Sequence, residues 1–363
     1  MQPLSISDFE HAAKCRLDTS RYDFCAGGAD DEVSLRANEQ AFRRIGLLPR
    51  VLRAPGDPNL GVSLLGSASA SPILLAPTAF HKLFHPDGEC ATARAAAAAG
   101  CILIVSMAST TAIEDIARAS REASARRPVP LWFQLNIQPD LAFTEFIVRR
   151  AEAAACEALV VSVDAPVLGR RPRDLRNGFH DLPAGMCCEN LREAGDDGKP
   201  ATVRPLAFST QLGWEQLDWL RSLTRLPIVL KGIVRADDAR IAVGRGVDAI
   251  LVSNHGGRQL DGVPPTIELL PAIAAAVGDK VPLLLDGGIR RGTDVIKAIA
   301  LGARAVAVGR PILWGLAANG EAGVLQVLEL LRDELRRGLS LCGCRSLSDL
   351  DGSFVHGLHP EPA

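Results

Sequence analysis

An eight-fold β/α barrel of the α/β class is the fold this sequence predicts, and three observations predict it. From about residue 73 onward, short apolar runs rich in β-formers alternate with Ala/Leu/Arg-rich stretches of helical period, the sequence form of repeated βα units. Eight such runs occur, and eight parallel strands with a helix after nearly every one close into a barrel rather than an open, doubly wound sheet. The composition agrees: 47% of residues are hydrophobic but only 4% are aromatic, a bias toward small aliphatics that suits strand-on-helix packing.

Taken in order, residues 1–60 precede the repeat and read as an N-terminal helical cap, with Gly27-Gly28 and the Pro-containing PRVLRAPGDP as breakers. The barrel spans 73–340. Its strands are ILLAP (73–77), ILIVS (102–106), PLWFQL (130–135), ALVVSV (158–163), PIVLK (227–231), DAILVS (248–253), PLLLD (282–286) and AVAVG (305–309). Gly88-Glu89 opens an Ala-rich helix ending at Gly100, and Asp237-Asp238 starts the helix before Gly246. Residues 176–213, after strand four, are long, polar and Gly/Pro-punctuated, which reads as an active-site loop. All 363 residues are expected to form one elaborated domain, with the final LHPEPA as a loose tail.

Composition also excludes partners. The formal net charge is −2 and no Lys/Arg-rich run occurs, so neither a nucleic acid nor an anionic membrane finds an electrostatic footprint, and a small molecule is the expected partner. Residues 1–20 lack a signal-peptide core and no stretch is long and apolar enough to span a bilayer, so a cytoplasmic location is expected. Nine cysteines, an odd count that includes the adjacent Cys187 and Cys188 and the close Cys342 and Cys344, read as reduced thiols, and no spacing suggests a metal site.

In this fold reacting groups belong at the C-terminal ends of the strands, and nearly every predicted strand delivers a polar group there. Strand one ends in Ala76-Pro77-Thr78, strand two in Ser106, strand three in Gln134 and strand four in Ser162 and Asp164. Strand five ends in Lys231, strand six in Ser253-Asn254-His255 and strand seven in Asp286. DGGIRRG (286–292) and VGRP (308–311) then place glycines beside Arg290 and Arg310 at the strand seven and eight location that favours phosphate, although a Gly-Gly turn is also a structural device. Lys231 could stabilise an anionic ring or pair with a carboxylate. His255 follows a buried strand, with Asp164 available to orient it and Arg258 three residues on, the arrangement that removes a proton near neutral pH.

At these residues the sequence resembles the FMN-dependent 2-hydroxy acid oxidase and dehydrogenase family. The blocks that carry the resemblance are SNHGGRQLDG (253–262), PTAFHKLFHPDGECATARAA (77–96), VDAPVLGRRPRDLRNGF (163–179), LKGIV (230–234), LDGGIRRGTDVIKAIALGA (285–303) and VGRPILWGLAANGEAGV (308–324). The resemblance implies FMN held by Pro77, Thr78, Ala79, Ser106, Gln134, Ser162, Lys231 and Ser253, with Asp286, Gly288, Arg290, Gly309 and Arg310 around ribityl and phosphate. It implies His255 as catalytic base, Asp164 as its carboxylate partner, and Arg171 and Arg258 on the substrate carboxylate. Guanidinium forks match a carboxylate in a way that lysine does not.

Three positions depart from the family pattern. Phe24 and Asn136 stand where many members carry tyrosines, and Tyr22, the one tyrosine of the chain, does not replace either. Met107 stands where several members carry tryptophan, which gives an adaptable wall in place of a rigid one. Losing one hydrogen bond to a charged group costs about 1.5–3 kcal/mol, so the pocket is expected to favour an atypical aryl, long-chain or conjugated 2-hydroxy acid. The expectation is therefore a homotetrameric flavoprotein oxidase that forms a 2-oxo acid, with the α-hydrogen passing to flavin and oxygen as reoxidant. The alternatives are a dehydrogenase using a quinone or protein acceptor, or a catalytically weakened FMN-binding member.

Overall fold

The computed structural model describes residues 3–124, 129–193 and 201–357. Eight parallel strands form a closed barrel: β1 (Ile73–Leu75), β2 (Leu103–Ser106), β3 (Leu131–Leu135), β4 (Ala158–Ser162), β5 (Ile228–Ile233), β6 (Ala249–Val252), β7 (Leu283–Asp286) and β8 (Ala305–Val308). Each strand pairs with its neighbours in sequence, and β8 closes on β1 with Val306 opposite Ile73.

Prolines set where half the strands begin. Pro72, Pro130, Pro227 and Pro282 lie just before β1, β3, β5 and β7. Proline has no N–H to give a ladder, so β3, β5 and β7 start one residue later than the apolar runs suggest, whereas β1 starts at Ile73 as read. Their carbonyls still accept, from Val306, Leu103, Leu159 and Ile250 respectively, which joins each odd strand to the even strand before it.

Alternation decides what fills the barrel. Leu74, Ile102, Ile104, Trp132, Ala158, Val160, Val229, Ala249, Leu251, Leu284, Ala305 and Ala307 form a small buried cluster of their own, while the residues between them join the larger core beneath the helices. A hairpin of Val62–Leu64 and Ser67–Ser69 inserts Leu64 into the inner cluster from the N-terminal end. Its turn takes Leu65 and Gly66 at φ 52 and 86, the primed geometry that suits a two-residue hairpin. Trp132 Nε1 donates to Ser67 Oγ at 3.0 Å, so the plug is hydrogen-bonded as well as packed.

Helices surround the strands. The first three, α1 (Ile6–Arg16), α2 (Thr19–Ala26) and α3 (Val33–Arg44), precede the barrel. The crossovers are α4 (Gly88–Ala99), α5 (Ile113–Ala123), α6 (Leu141–Ala153), the short α7 (Pro172–Arg176), α8 (Trp214–Leu223), α9 (Ala236–Gly244), α10 (Thr266–Val277) and α11 (Gly292–Ala300). The last helix, α12 (Arg310–Cys342), is broken at Asn319 and Gly320 and folds back so closely that a Cβ on Gly323 would lie 2.0 Å from the Gly315 carbonyl oxygen.

The loop after β4 carries α7 and a two-residue antiparallel ladder, Arg192–Glu193 with Thr202–Val203. Buried Asn190 anchors it, donating to the Ser106 carbonyl and accepting from Ile113 N. Residues 194–200 of the expected 176–213 loop, and the tail from 358, lie outside the described residues.

Candidate active site

One further step of the inward alternation turns the barrel lining polar. Two residues beyond Ile104, Trp132, Val160, Val229, Leu251 and Leu284 stand Ser106, Gln134, Ser162, Lys231, Ser253 and Asp286, all buried at the C-terminal rim. They form two hydrogen-bonded chains. Gln134 accepts from Ser106 Oγ and from Met107 N and donates to Ser162 Oγ at 3.1 Å. Lys231 Nζ donates to Ser253 Oγ at 2.9 Å and lies 3.5 Å from Asp286 Oδ2.

Above this layer lies a cavity of about 800 Å³, within the range of small-molecule and cofactor sites, roughly 300–1,000 Å³. Pro77, Thr78, Ala79, Ser106, Gln134, Ser162, Lys231, Asp286, Gly288, Arg290, Gly309 and Arg310 line it, as do Phe24, Asn136, Arg171, His255 and Arg258. Ser253 and Asp164 stand behind that surface and act on it through Lys231 and His255.

His255 Nδ1 lies 3.0 and 3.1 Å from the two Asp164 oxygens. Two local devices bring them together. His255 sits in the left-handed region at φ 57, which is uncommon for a residue with a Cβ, and its N–H donates to Ser253 Oγ. On β5, where the register slips between Lys231 and Ile233, Gly232 at φ 111 leaves the space that Asp164 fills, since a Cβ there would lie 2.5 Å from that of Asp164. Burial pushes the imidazole pKa below its ordinary 6.5, with Asp164 opposing and Lys231 assisting the shift. Burial raises the Asp164 carboxyl, but His255 and Lys231 more than offset it and hold the group below its ordinary value.

The arginines are short of counter-charge. Arg258 donates through Nη1 to the carbonyls of Phe24 and Gly27 and stacks over the Phe24 ring at 5.0 Å. Burial, then the Arg171 charge, pushes it down to about 9. Arg310 is pushed to about 9 as well, by burial and then by Arg258, while bonding the carbonyls of Cys25, Gly256 and Gly27. A guanidinium stays charged in a protein, and among the described residues these two hydrogen-bond to carbonyls and not to a carboxylate. Arg171 Nε is buried without a partner among the described residues.

Met107 requires correction as a wall residue. It follows inward-facing Ser106, so alternation turns it outward; it is fully buried in the outer core and Ala108 lines the cavity instead. Gly288 also has a second reason to be glycine: a Cβ there would lie 2.4 Å from the Asn38 carbonyl oxygen of α3.

Asp174, Phe80 and Phe179 also line the cavity and escaped the sequence reading. Asp174 is three residues beyond Arg171 at the start of α7, a spacing that could have flagged it. Burial raises its carboxyl pKa against the pull of Arg258 and Arg171. Phe80 and Phe179 pack on Phe24 with ring centroids 5.5 and 5.1 Å away, which no local pattern announces.

The residues present fit FMN. Asp286 Oδ1 is buried without a partner among the described residues and can accept from a ribityl hydroxyl, while Gly288 and Gly309 open backbone beside Arg290 and Arg310 for a phosphate. Among the described residues no helix is long and apolar enough to cross a membrane, and no His/Cys/Asp/Glu group could hold a metal ion.

The model of the FMN-dependent dehydrogenase family matches residues 13–357. L-lactate oxidase from a Nostoc species is 47% identical, the match covering 98% of both chains. The human protein 2-hydroxyacid oxidase 1 is 45% identical, covering 97% of this chain and 96% of its own. A solved structure of mandelate oxidase superposes with a TM-score of 0.88 at 44% identity, covering 98% of each chain.

Proposed function

Since this chain belongs to the FMN-dependent dehydrogenase family, with FMN as its cofactor, we propose that it oxidises a 2-hydroxy acid to the 2-oxo acid with His255 as base and oxygen as the terminal acceptor. The observation that carries the reading is the pairing of a carboxylate-held imidazole with two under-compensated guanidiniums in one cavity. Bound FMN supplies the acceptor for the α-hydrogen and its electron pair, and oxygen leaves as hydrogen peroxide.

Arg171 and Arg258 receive the substrate carboxylate, which supplies the anion they lack. His255 donates Nδ1–H to Asp164, which leaves Nε2 free to take the hydroxyl proton; the depressed imidazole pKa keeps that nitrogen unprotonated at neutral pH. Asp164 then holds the imidazolium that forms. Pro77, Thr78, Ala79, Ser106, Gln134, Ser162, Asp286, Gly288, Arg290, Gly309 and Arg310 would hold the cofactor, together with Lys231, which Ser253 fixes in place from behind the cavity surface.

The substrate is an atypical one, aryl, long-chain or conjugated. Phe24 supports this in two ways: its ring sets Arg258 from below, a cation–π contact of about 0.5–2 kcal/mol, and with Phe80 and Phe179 it makes an apolar wall. Asn136 adds a short amide where the cavity stays open. A homotetramer in the cytoplasm is the proposed setting.

The test mixes the purified yellow protein, without oxygen, with glycolate, lactate, 2-hydroxyoctanoate, mandelate and 4-hydroxymandelate while the flavin absorbance is followed. Bleaching by an aryl or long-chain acid and rapid recolouring in air is the expected result. Slow recolouring transfers the reading to a quinone or protein acceptor. Turnover of glycolate near ~10 per second, a typical enzyme rate, would exclude the atypical substrate. No bleaching by any acid would make the chain a weakened FMN-binding member.

A further inference from the structure

Arg290 belongs to two cavities. On one side it lines the large one with Gly288, Gly309 and Arg310. On the other it lines a smaller cavity of about 340 Å³, walled by Ser7, Glu10, Glu39, Arg43 and Asp294 among others. Its guanidinium is held from three directions: Nη2 lies 2.7 Å from Glu39 Oε1, Nη1 donates to its neighbour's carbonyl at Ile289, and its plane sits 4.9 Å from the centre of the Trp314 ring. A residue expected to meet a phosphate thus already faces a carboxylate.

We infer that Glu39 is a latch on the phosphate end of the cofactor site: it competes with the FMN phosphate for Arg290 and so sets how fast this chain releases FMN. The inference rests on the FMN reading given above. Two effects of the Glu39 carboxylate oppose each other, orientation of the guanidinium and neutralisation of its charge. Orientation survives without Glu39, because the Ile289 carbonyl and the Trp314 face remain. Asp294, the other carboxylate beside Arg290, is occupied by the backbone N–H groups of Arg290 and Arg291, so Glu39 is the carboxylate set directly on the guanidinium, and a phosphate brought to Arg290 meets that charge at close range. Charge therefore decides the sign, and Glu39 weakens retention.

The partner side chain is 34% exposed, so solvent and salt screen the effect. The expected size is about five- to tenfold, as for a partly screened unit charge beside a phosphate.

The measurement is FMN release from diluted holoenzyme, followed by the fluorescence that flavin regains in solution, for the native chain, E39Q and E39D. E39Q is expected to release FMN about five- to tenfold more slowly, E39D at the native rate, and 0.5 M salt to shrink the difference. Riboflavin, which has no phosphate, is the second probe, and its release is expected to be indifferent to E39Q. E39Q releasing FMN at the native rate or faster overturns the latch, as does equal slowing of riboflavin. If E39Q does not fold, E39A in the same assay carries the same expectations. A protein that purifies without flavin and binds none when FMN is added overturns the FMN reading itself, whereas bound flavin with unaltered release overturns the latch alone.

Discussion

At the scale of single residues, Asp164 and His255 form the pair on which the proposed chemistry turns, and their titration has a defined sign. Burial lowers the imidazole pKa and Asp164 partly restores it. A base must be unprotonated, so kcat/KM should fall on the acid side through a value below 6.5. In Asp164→Asn the restoring charge is gone, so the acid limb should move to still lower pH while kcat drops by about 10²–10⁴-fold. A profile of kcat/KM from acid to neutral pH reads both effects, and a limb that stays in place would detach His255 from it. The sequence exposed this pair because both residues follow strand ends, where a barrel delivers its reacting groups. It misled at Met107, one position past Ser106, because a single step along a strand reverses the face.

At the scale of elements, α3 is docked by a residue far away in sequence. The backbone N–H groups of Asp31, Val33 and Ser34 all donate to the Asp261 carboxylate, which caps a helix whose own N-cap residue, Glu32, makes no side-chain cap. Asn38 and Asn254 exchange amide hydrogen bonds at 2.9 Å, and a Cβ on Gly257 would lie 2.5 Å from Leu35 N. The block SNHGGRQLDG therefore serves the cap as well as the proposed chemistry. Asp261→Ala should lower unfolding free energy by about 0.5–2 kcal/mol, the range for a lost N-cap, read as a shifted urea midpoint with unchanged slope; an unmoved midpoint would show that water replaces the carboxylate. Strands and crossover helices were legible because hydrophobic periodicity is a local signal. The role of Asp261 was not, since nothing near it in the chain names a partner some 230 residues away.

At the scale of the whole molecule, the polar rim layer and the arginines need the cofactor to complete them, so FMN should bind the folded chain and not the unfolded one. Stability then rises with free FMN, by about 2.7 kcal/mol at a hundredfold excess over Kd. Thermal unfolding across an FMN series checks this, and a midpoint independent of FMN would refute it. The barrel order was readable because closure follows from eight consecutive βα units, while the size of the cavity depends on side chains from α2, α7 and the loops after β1 and β4 meeting in space. The hairpin that drives Leu64 into the strand ring carries one more implication. A vessel corked at its base is filled and emptied from the rim, so among the described residues whatever enters the cavity comes from the side where the strands end.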